Sequence, residues 1–179
     1  MITNTIIVDN FLDYPDKVRE SVLTLDFHRT GPYPGLRSDH ADLDYQNYVQ
    51  TKIEHILNLE VTEWVQDSFC FQICLDDVKT WIHHDDSEWA GILYLSKNPP
   101  VGAGTGIYRH IPTGISTNSP LVDIEKEEEC ELVTAIGNVY NRLALYRADL
   151  YHKSLIAGFG NSIETGRLTQ TFFFNTKTK

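Results

Sequence analysis

The chain has 179 residues, with 15 Lys and Arg against 25 Asp and Glu for a formal net charge of −10. That length suits a single domain, 1–179, with a sizeable core and no need of covalent staples. The acidic balance disfavours nucleic acid as a partner, because affinity for a phosphate backbone depends on clustered cations.

Met1 to Asp9 carries no basic leader, and no later run approaches the roughly 20 apolar residues of a membrane span. A soluble, cytoplasmic protein with no membrane partner is therefore expected. Thr5 to Val8 is β-branched and apolar and predicts a first strand. Asp13 followed by Pro15 reads as a helix start, and Val18, Val22 and Leu25 recur at helical spacing, so a helix is predicted over about 14–25. Gly31-Pro32-Tyr33-Pro34-Gly35 denies itself both helix and ladder donors and predicts a shaped loop. Tyr45, Val49, Ile53, Ile56 and Leu57 then predict a second helix whose Gln46, Gln50, Lys52 and Glu54 face water.

From Val61 the period changes to two. Val65, Asp67, Phe69, Phe71, Ile73 and Leu75 alternate with Trp64, Gln66, Ser68, Cys70, Gln72 and Cys74, which predicts one long strand. On such a strand Cys70 and Cys74 stand about 13 Å apart, roughly twice the span of a disulfide; with Cys130 they make an odd, unpaired set, as in a reducing compartment. Short β-rich runs follow at 90–95, 105–108, 140–146, 154–156 and 167–174, separated by Gly, Pro, Asn and Asp clusters. Strands following two helices argue for an α+β, mainly β architecture: a strand and supporting helices over 1–58, then a jelly-roll core over 61–175. An insertion over about 112–134, with little hydrophobic periodicity, is expected to cover or border the site. Its acidic run, Glu125 to Glu131, reads as a solvated face.

The chemistry concentrates in Trp81-Ile82-His83-His84-Asp85-Asp86. A His, one spacer and an Asp, completed by a distant His such as His152, form the ligand set of a mononuclear non-haem iron site with open positions. Two registers fit locally, His83 with Asp85 or His84 with Asp86, and a tandem of this kind is also an ordinary polar turn.

Around it lie Gly91-Ile92-Leu93-Tyr94-Leu95-Ser96, Gly102-Ala103-Gly104-Thr105, Leu150-Tyr151-His152-Lys153-Ser154 and Arg167-Leu168-Thr169-Gln170. Over residues 80–175 this order resembles the Fe(II)- and 2-oxoglutarate-dependent dioxygenases, specifically the prolyl-hydroxylase-like branch. The resemblance implies a double-stranded β-helix with Fe(II) held by His83, Asp85 and His152. It implies 2-oxoglutarate as co-substrate, its far carboxylate on Arg167, fifteen residues past His152, with O2 as oxidant and succinate and CO2 as products. Strand alternation places Thr169 on the face of Arg167, where its hydroxyl adds to the anchor. Tyr94 is a further candidate contact for the co-substrate, Gln72 for the pocket lining, and Tyr33 and Arg37 for the substrate, Arg37 as an anion partner.

Because a carboxylate occupies position 85, hydroxylation is favoured over halogenation, which the family performs where that ligand is missing. Gly-Ala-Gly-Thr departs from the family's usual adjacent glycines. The substrate, small-molecule or peptidyl, and the oligomeric state are not legible. A non-catalytic jelly-roll module, such as a virion component, and a cupin-like metal protein are the rival readings.

Overall fold

The computed structural model describes residues 4–65, 67–76 and 78–179. In chain order these form β1 (Thr5–Val8), α1 (Pro15–Val22), β2 (Leu36–His40), α2 (Leu43–Leu57), β3 (Leu59–Trp64) and β4 (Cys70–Cys74). There follow β5 (Trp89–Tyr94), β6 (Thr105–His110), β7 (Cys130–Ile136), β8 (Arg142–Arg147), β9 (His152–Ser154) and β10 (Arg167–Thr178).

The strands make two antiparallel sheets. The larger runs β1-β8-β5-β10-β4-β2, with β3 paired to the far end of β10; the smaller runs β7-β6-β9. An antiparallel bridge between His83 and His152 adds the 83–85 segment to the free side of β9. The two sheets enclose a cavity, the arrangement of a double-stranded β-helix, and the helices pack on the outer face of the larger sheet. No helix among the described residues is long and apolar enough to cross a membrane.

β10 shows how sequence alternation builds both sides of this sheet. Leu168, Phe172 and Phe174 are wholly buried in the cluster that includes Val22 of α1 and Val49 and Ile53 of α2. Each such side chain contributes about 1.5–3 kcal/mol of apolar burial. Their neighbours Arg167, Thr169, Thr171 and Phe173 line the cavity instead. Gln170, on the helix side, is satisfied there: Tyr45 Oη donates to its Oε1 at 2.7 Å and its Nε2 donates to the Phe69 carbonyl at 3.3 Å.

The helices end where local chemistry ends them. Asp42 caps α2 by accepting from the Tyr45 amide at 2.9 Å, and Asn58, a residue that tolerates the left-handed conformation, closes it at φ 53°. α1 begins on Pro15 but has Tyr14 as its N-cap, without a side-chain cap bond. Asp13 instead accepts from Tyr48 Oη at 2.9 Å and Lys52 Nζ at 2.8 Å, tying the entry of α1 to α2.

Three expectations need correcting. The long strand over 61–75 is two strands along one edge of β10: β3 pairs with Phe174–Thr178 and β4 with Arg167–Gln170. Between them the chain steps out of the ladder, with Asp67 and Phe69 at positive φ (69° and 63°), while Val65 and Phe69 still donate to the carbonyls of Phe173 and Thr171 at 2.8 Å. Gln66 lies outside the described residues. Second, the sequence predicts no strand after the 31–35 loop, yet β2 follows it directly and pairs with β4. Third, the last part of the supposed insertion is β7, paired along β6. The rest packs Ile115, Val122 and Ile124 against Ile82, Tyr108 and Tyr151 on the outer side of the smaller sheet, so its sparse apolar residues already have a surface to bury.

Candidate metal centre

The cavity between the sheets has a volume of about 330 Å³. Its floor follows from strand register, because residues directly paired across antiparallel strands share a face. Arg37 pairs with Gln72, Gln72 with Thr169, Thr169 with Tyr94, and Tyr94 with Arg142. A polar row thus crosses the inner face of the larger sheet, opposite the apolar face that carries Phe71, Leu93, Leu168 and Leu143.

The smaller sheet supplies the other wall. His83 N donates to the His152 carbonyl at 3.0 Å, His152 N to the His83 carbonyl at 2.8 Å, and Asp85 N to the Ala148 carbonyl at 2.8 Å. This short ladder lays residues 83–85 beside the start of β9. Ligand-type atoms of His83, Asp85 and His152 all come within 4.8 Å of one another. The two rings stand 4.3 Å apart, centroid to centroid.

Each imidazole is oriented in the same way. His83 Nδ1 lies 3.0 Å from the Trp81 carbonyl and His152 Nδ1 lies 2.7 Å from the Leu150 carbonyl, in both cases the residue two positions back. A carbonyl only accepts, so Nδ1 carries a proton in each ring, and in the neutral ring Nε2 then keeps its lone pair, as a metal-ligating histidine requires. Asp85 Oδ2 is 3.3 Å from His152 Nε2, yet it is buried without a hydrogen bond of acceptable geometry. In the neutral ring that short approach sets a lone pair against a carboxylate, an arrangement a cation between them would relieve.

The electrostatics point the same way. Burial, and then the neighbouring His152, hold the His83 imidazole below its ordinary value and so favour its neutral, ligating form. Burial opposes ionisation of Asp85, but contact with His152 and the positive charge that His152, His83 and His84 carry when protonated outweigh it and leave the carboxyl below its usual range. Two neutral imidazoles and one carboxylate are the donor set expected of non-haem Fe(II).

Arg167 is buried to 2% exposure. Its Nε donates to the Ala103 carbonyl at 3.3 Å, while Nη2 is buried with no hydrogen-bond partner among the described residues. A buried guanidinium with one edge unpaired and no carboxylate paired to it among the described residues is costly to maintain, which makes it a position built for an anion. Thr169 lines the cavity beside it. Tyr94 does not line the cavity: it is wholly buried, and its hydroxyl shares a 2.8 Å hydrogen bond with Thr105 Oγ1, which does. Burial pushes both the Tyr94 and Tyr146 phenols up, so both stay neutral.

The three residues named for the substrate side are also together. Tyr33, Arg37 and Gln72 line the cavity, Arg37 Nε donates to Gln72 Oε1 at 2.8 Å, and the Arg37 guanidinium stacks 3.7 Å from the Tyr33 ring centroid. No residue of 112–134 lines the cavity, contrary to the expectation for that insertion.

Several contributors escaped sequence reasoning. Tyr146 is buried, lines the cavity and packs its ring 4.8 Å from that of His152. Asp67 joins Arg29 at 2.5 Å and Arg37 at 3.3 Å. Glu127, from the acidic run read as a solvated face, accepts from the Ile82 amide at 2.8 Å and from Lys153 Nζ at 2.6 Å. It therefore clasps the two segments that carry His83 and His152. The only sequence signal for it was charge density, which points to solvent as readily as to a contact.

No family model matches this chain, and no curated protein does. Solved structures do. HygX from Streptomyces hygroscopicus with nickel and 2-oxoglutarate bound superposes with a TM-score of 0.59 at 14% identity, over 96% of this chain and 82% of that one. The fold is shared. The same protein with iron bound gives a TM-score of 0.53 at 13% identity, again over 96% and 82% of the two chains. A prolyl hydroxylase from Trichoplax adhaerens, in complex with a hypoxia inducible factor oxygen degradation domain peptide, gives 0.54 at 11% identity over 96% and 83%. The structures that share this fold include a protein solved with 2-oxoglutarate bound and a prolyl hydroxylase.

Proposed function

We propose that this protein is an Fe(II)- and 2-oxoglutarate-dependent oxygenase that hydroxylates its substrate. The observation that carries the reading is the convergence of His83, Asp85 and His152 to within 4.8 Å on one wall of a cavity whose floor holds a guanidinium with its Nη2 buried and unpaired among the described residues. In this reading the three side chains hold Fe(II), and Arg167 with Thr169 takes the far carboxylate of 2-oxoglutarate. Bound there, Fe(II) supplies the redox chemistry that couples conversion of 2-oxoglutarate and O2 to succinate and CO2 with transfer of the second oxygen atom into a substrate C–H bond.

The remaining work belongs to the protein. The Trp81 and Leu150 carbonyls fix both imidazole tautomers, so the ligands are oriented before anything binds. Asp85 is disposed to be ionised, its carboxyl being held below the usual range by contact with His152 despite burial. The Tyr94–Thr105 hydrogen bond joins the two sheets at the Arg167 end and keeps Thr105 on the cavity wall. Tyr146 closes the floor beside His152 and excludes water there.

The test is anaerobic. Fe(II) added with 2-oxoglutarate should produce a weak visible charge-transfer band, and admission of air should then release succinate. Metal-loaded protein that shows no band with 2-oxoglutarate would rule the reading out.

A further inference from the structure

The cavity continues past the metal ligands and Arg167 to a second buried cation, Arg37, at 7% exposure. Three contacts preform it. Nε donates to Gln72 Oε1 at 2.8 Å, Gln72 Nε2 in turn donates to the Pro34 carbonyl at 2.8 Å, and the guanidinium plane lies on Tyr33 at 3.7 Å. These fix the fork without using its outer edge. Nη1 is 3.3 Å from Asp67 Oδ2 but makes no hydrogen bond to it, and Nη2 has no partner among the described residues.

Charge counting gives the chemistry of the missing partner. Asp67 is already held by Arg29 at 2.5 Å, so two guanidinium groups face one carboxylate and one positive charge is left over. That surplus balances a single negative charge; a dianionic phosphate would leave one negative charge unbalanced beside Asp67. Burial lowers the affinity of Arg37 for its proton, with the Asp67 charge acting against this, so an added anion relieves a standing cost. The same cavity is lined by the flat or apolar side chains of Tyr33, Val65, Trp81 and Phe173, alongside the polar Asp67, Thr80, Asp86 and Lys153. A cavity of about 330 Å³ is at the small end for ligand sites, and 2-oxoglutarate would take part of it.

Resting on the oxygenase reading, we infer that the substrate is a small monocarboxylate with an apolar or aromatic body, its carboxylate received by the outer edge of Arg37. Tyr33 and Gln72 position that guanidinium, and Arg37 selects substrates by the charge at one end.

The experiment titrates the Fe(II)- and 2-oxoglutarate-loaded protein, without oxygen, with the twenty common L-amino acids, benzoate and 3-phenylpropionate, each against its primary amide, by calorimetry. At least one acid should bind about tenfold or more tightly than its amide, as expected when an ion-paired hydrogen bond is lost. R37Q should lose that preference while keeping the 2-oxoglutarate charge-transfer band. R37K, which keeps the charge without the fork, should retain only part of it and serves if R37Q fails to fold. If no acid outcompetes its amide, or if the preference survives in R37Q or is undiminished in R37K, the inference is wrong. Absence of the band in wild-type protein would instead count against the oxygenase reading itself.

Discussion

Glu127 offers the sharpest test of how the metal centre is held. Its carboxylate accepts from the Ile82 amide and from Lys153, the immediate neighbours of His83 and His152, and its side chain is 28% exposed. A hydrogen bond to a charged acceptor is worth about 1.5–3 kcal/mol when buried; solvent access here reduces that to about 1 kcal/mol, and the Lys153 pair adds roughly 0.5 kcal/mol. E127A should therefore cost about 1.5 kcal/mol, a fall in melting temperature of about 3–6 °C for a chain of this size. E127Q keeps an acceptor for Ile82 and should lose about a third of that. Because the ligands' backbone is loosened and not the ligands themselves, Fe(II) affinity in E127A, read by titrating the 2-oxoglutarate band, should drop about threefold to tenfold, the lower edge of what supporting residues contribute. The sign with pH is determined. Burial raises the Glu127 carboxyl, but Lys153 and the Ile82 amide outweigh it and the net shift is downward from about 4.5. The contribution is thus complete above the ordinary glutamate range and disappears as pH falls through the lowered folded-state value. An E127A protein that melts like wild type refutes the clasp; one that melts lower but binds Fe(II) unchanged shows a contact that stabilises the fold without positioning the ligands.

Other changes separate roles that look alike in sequence. D85A should abolish the 2-oxoglutarate band, whereas D86A, at the exposed rim, should retain it; the reverse would assign the metal to the other pair. R167M removes an orphaned buried cation, so the unliganded protein should melt no lower than wild type while half-saturation of the band needs about tenfold more 2-oxoglutarate or worse. Lower stability with unchanged 2-oxoglutarate binding would make Arg167 structural. In the turn before β6, a Cβ on Gly104 would sit 1.7 Å from the Ile136 carbonyl oxygen, whereas one on Gly102 meets nothing within 4 Å. G104A should destabilise by about 1–3 kcal/mol or more in denaturant titration, and G102A should be close to neutral.

Strands that bury one or both faces were legible because burial imposes a pattern. β5, β8 and β10 carry dense apolar or alternating runs, and along β10 the alternation alone placed Arg167 and Thr169 on one face. Strands without that constraint left no trace. β2, Leu-Arg-Ser-Asp-His, and β7, whose middle residues are exposed, are the ends of their sheets and bury too little for periodicity to show. Tyr146 was invisible for the opposite reason: within Leu143–Tyr146 an aromatic residue reads as core, and only the inward parity of β8 turns it to the cavity. Asp67 was counted as one more strand position, although its positive φ takes it out of the ladder and brings it between Arg29 and Arg37.

The ambiguity between His83 with Asp85 and His84 with Asp86 has a physical origin. In an extended segment alternate side chains share a side, so one residue of slip exchanges the two sets. Nothing within residues 81–86 chooses between them, because the segment is too short to bury a face of its own. The choice is made by the 148–152 segment, whose Ala148 and His152 carbonyls take the amides of Asp85 and His83 and whose His152 amide binds the His83 carbonyl. In that register His83 and Asp85 meet His152, while the His84 ring lies 6.5 Å from the Tyr151 ring, which belongs to the cluster on the outer side. The pairing that supplies the third ligand thus also sets the parity of the first two. A substitution that shifts this ladder by one residue should therefore exchange His83 and Asp85 for His84 and Asp86 as a pair, whereas replacing any one of the proposed ligands removes a single donor.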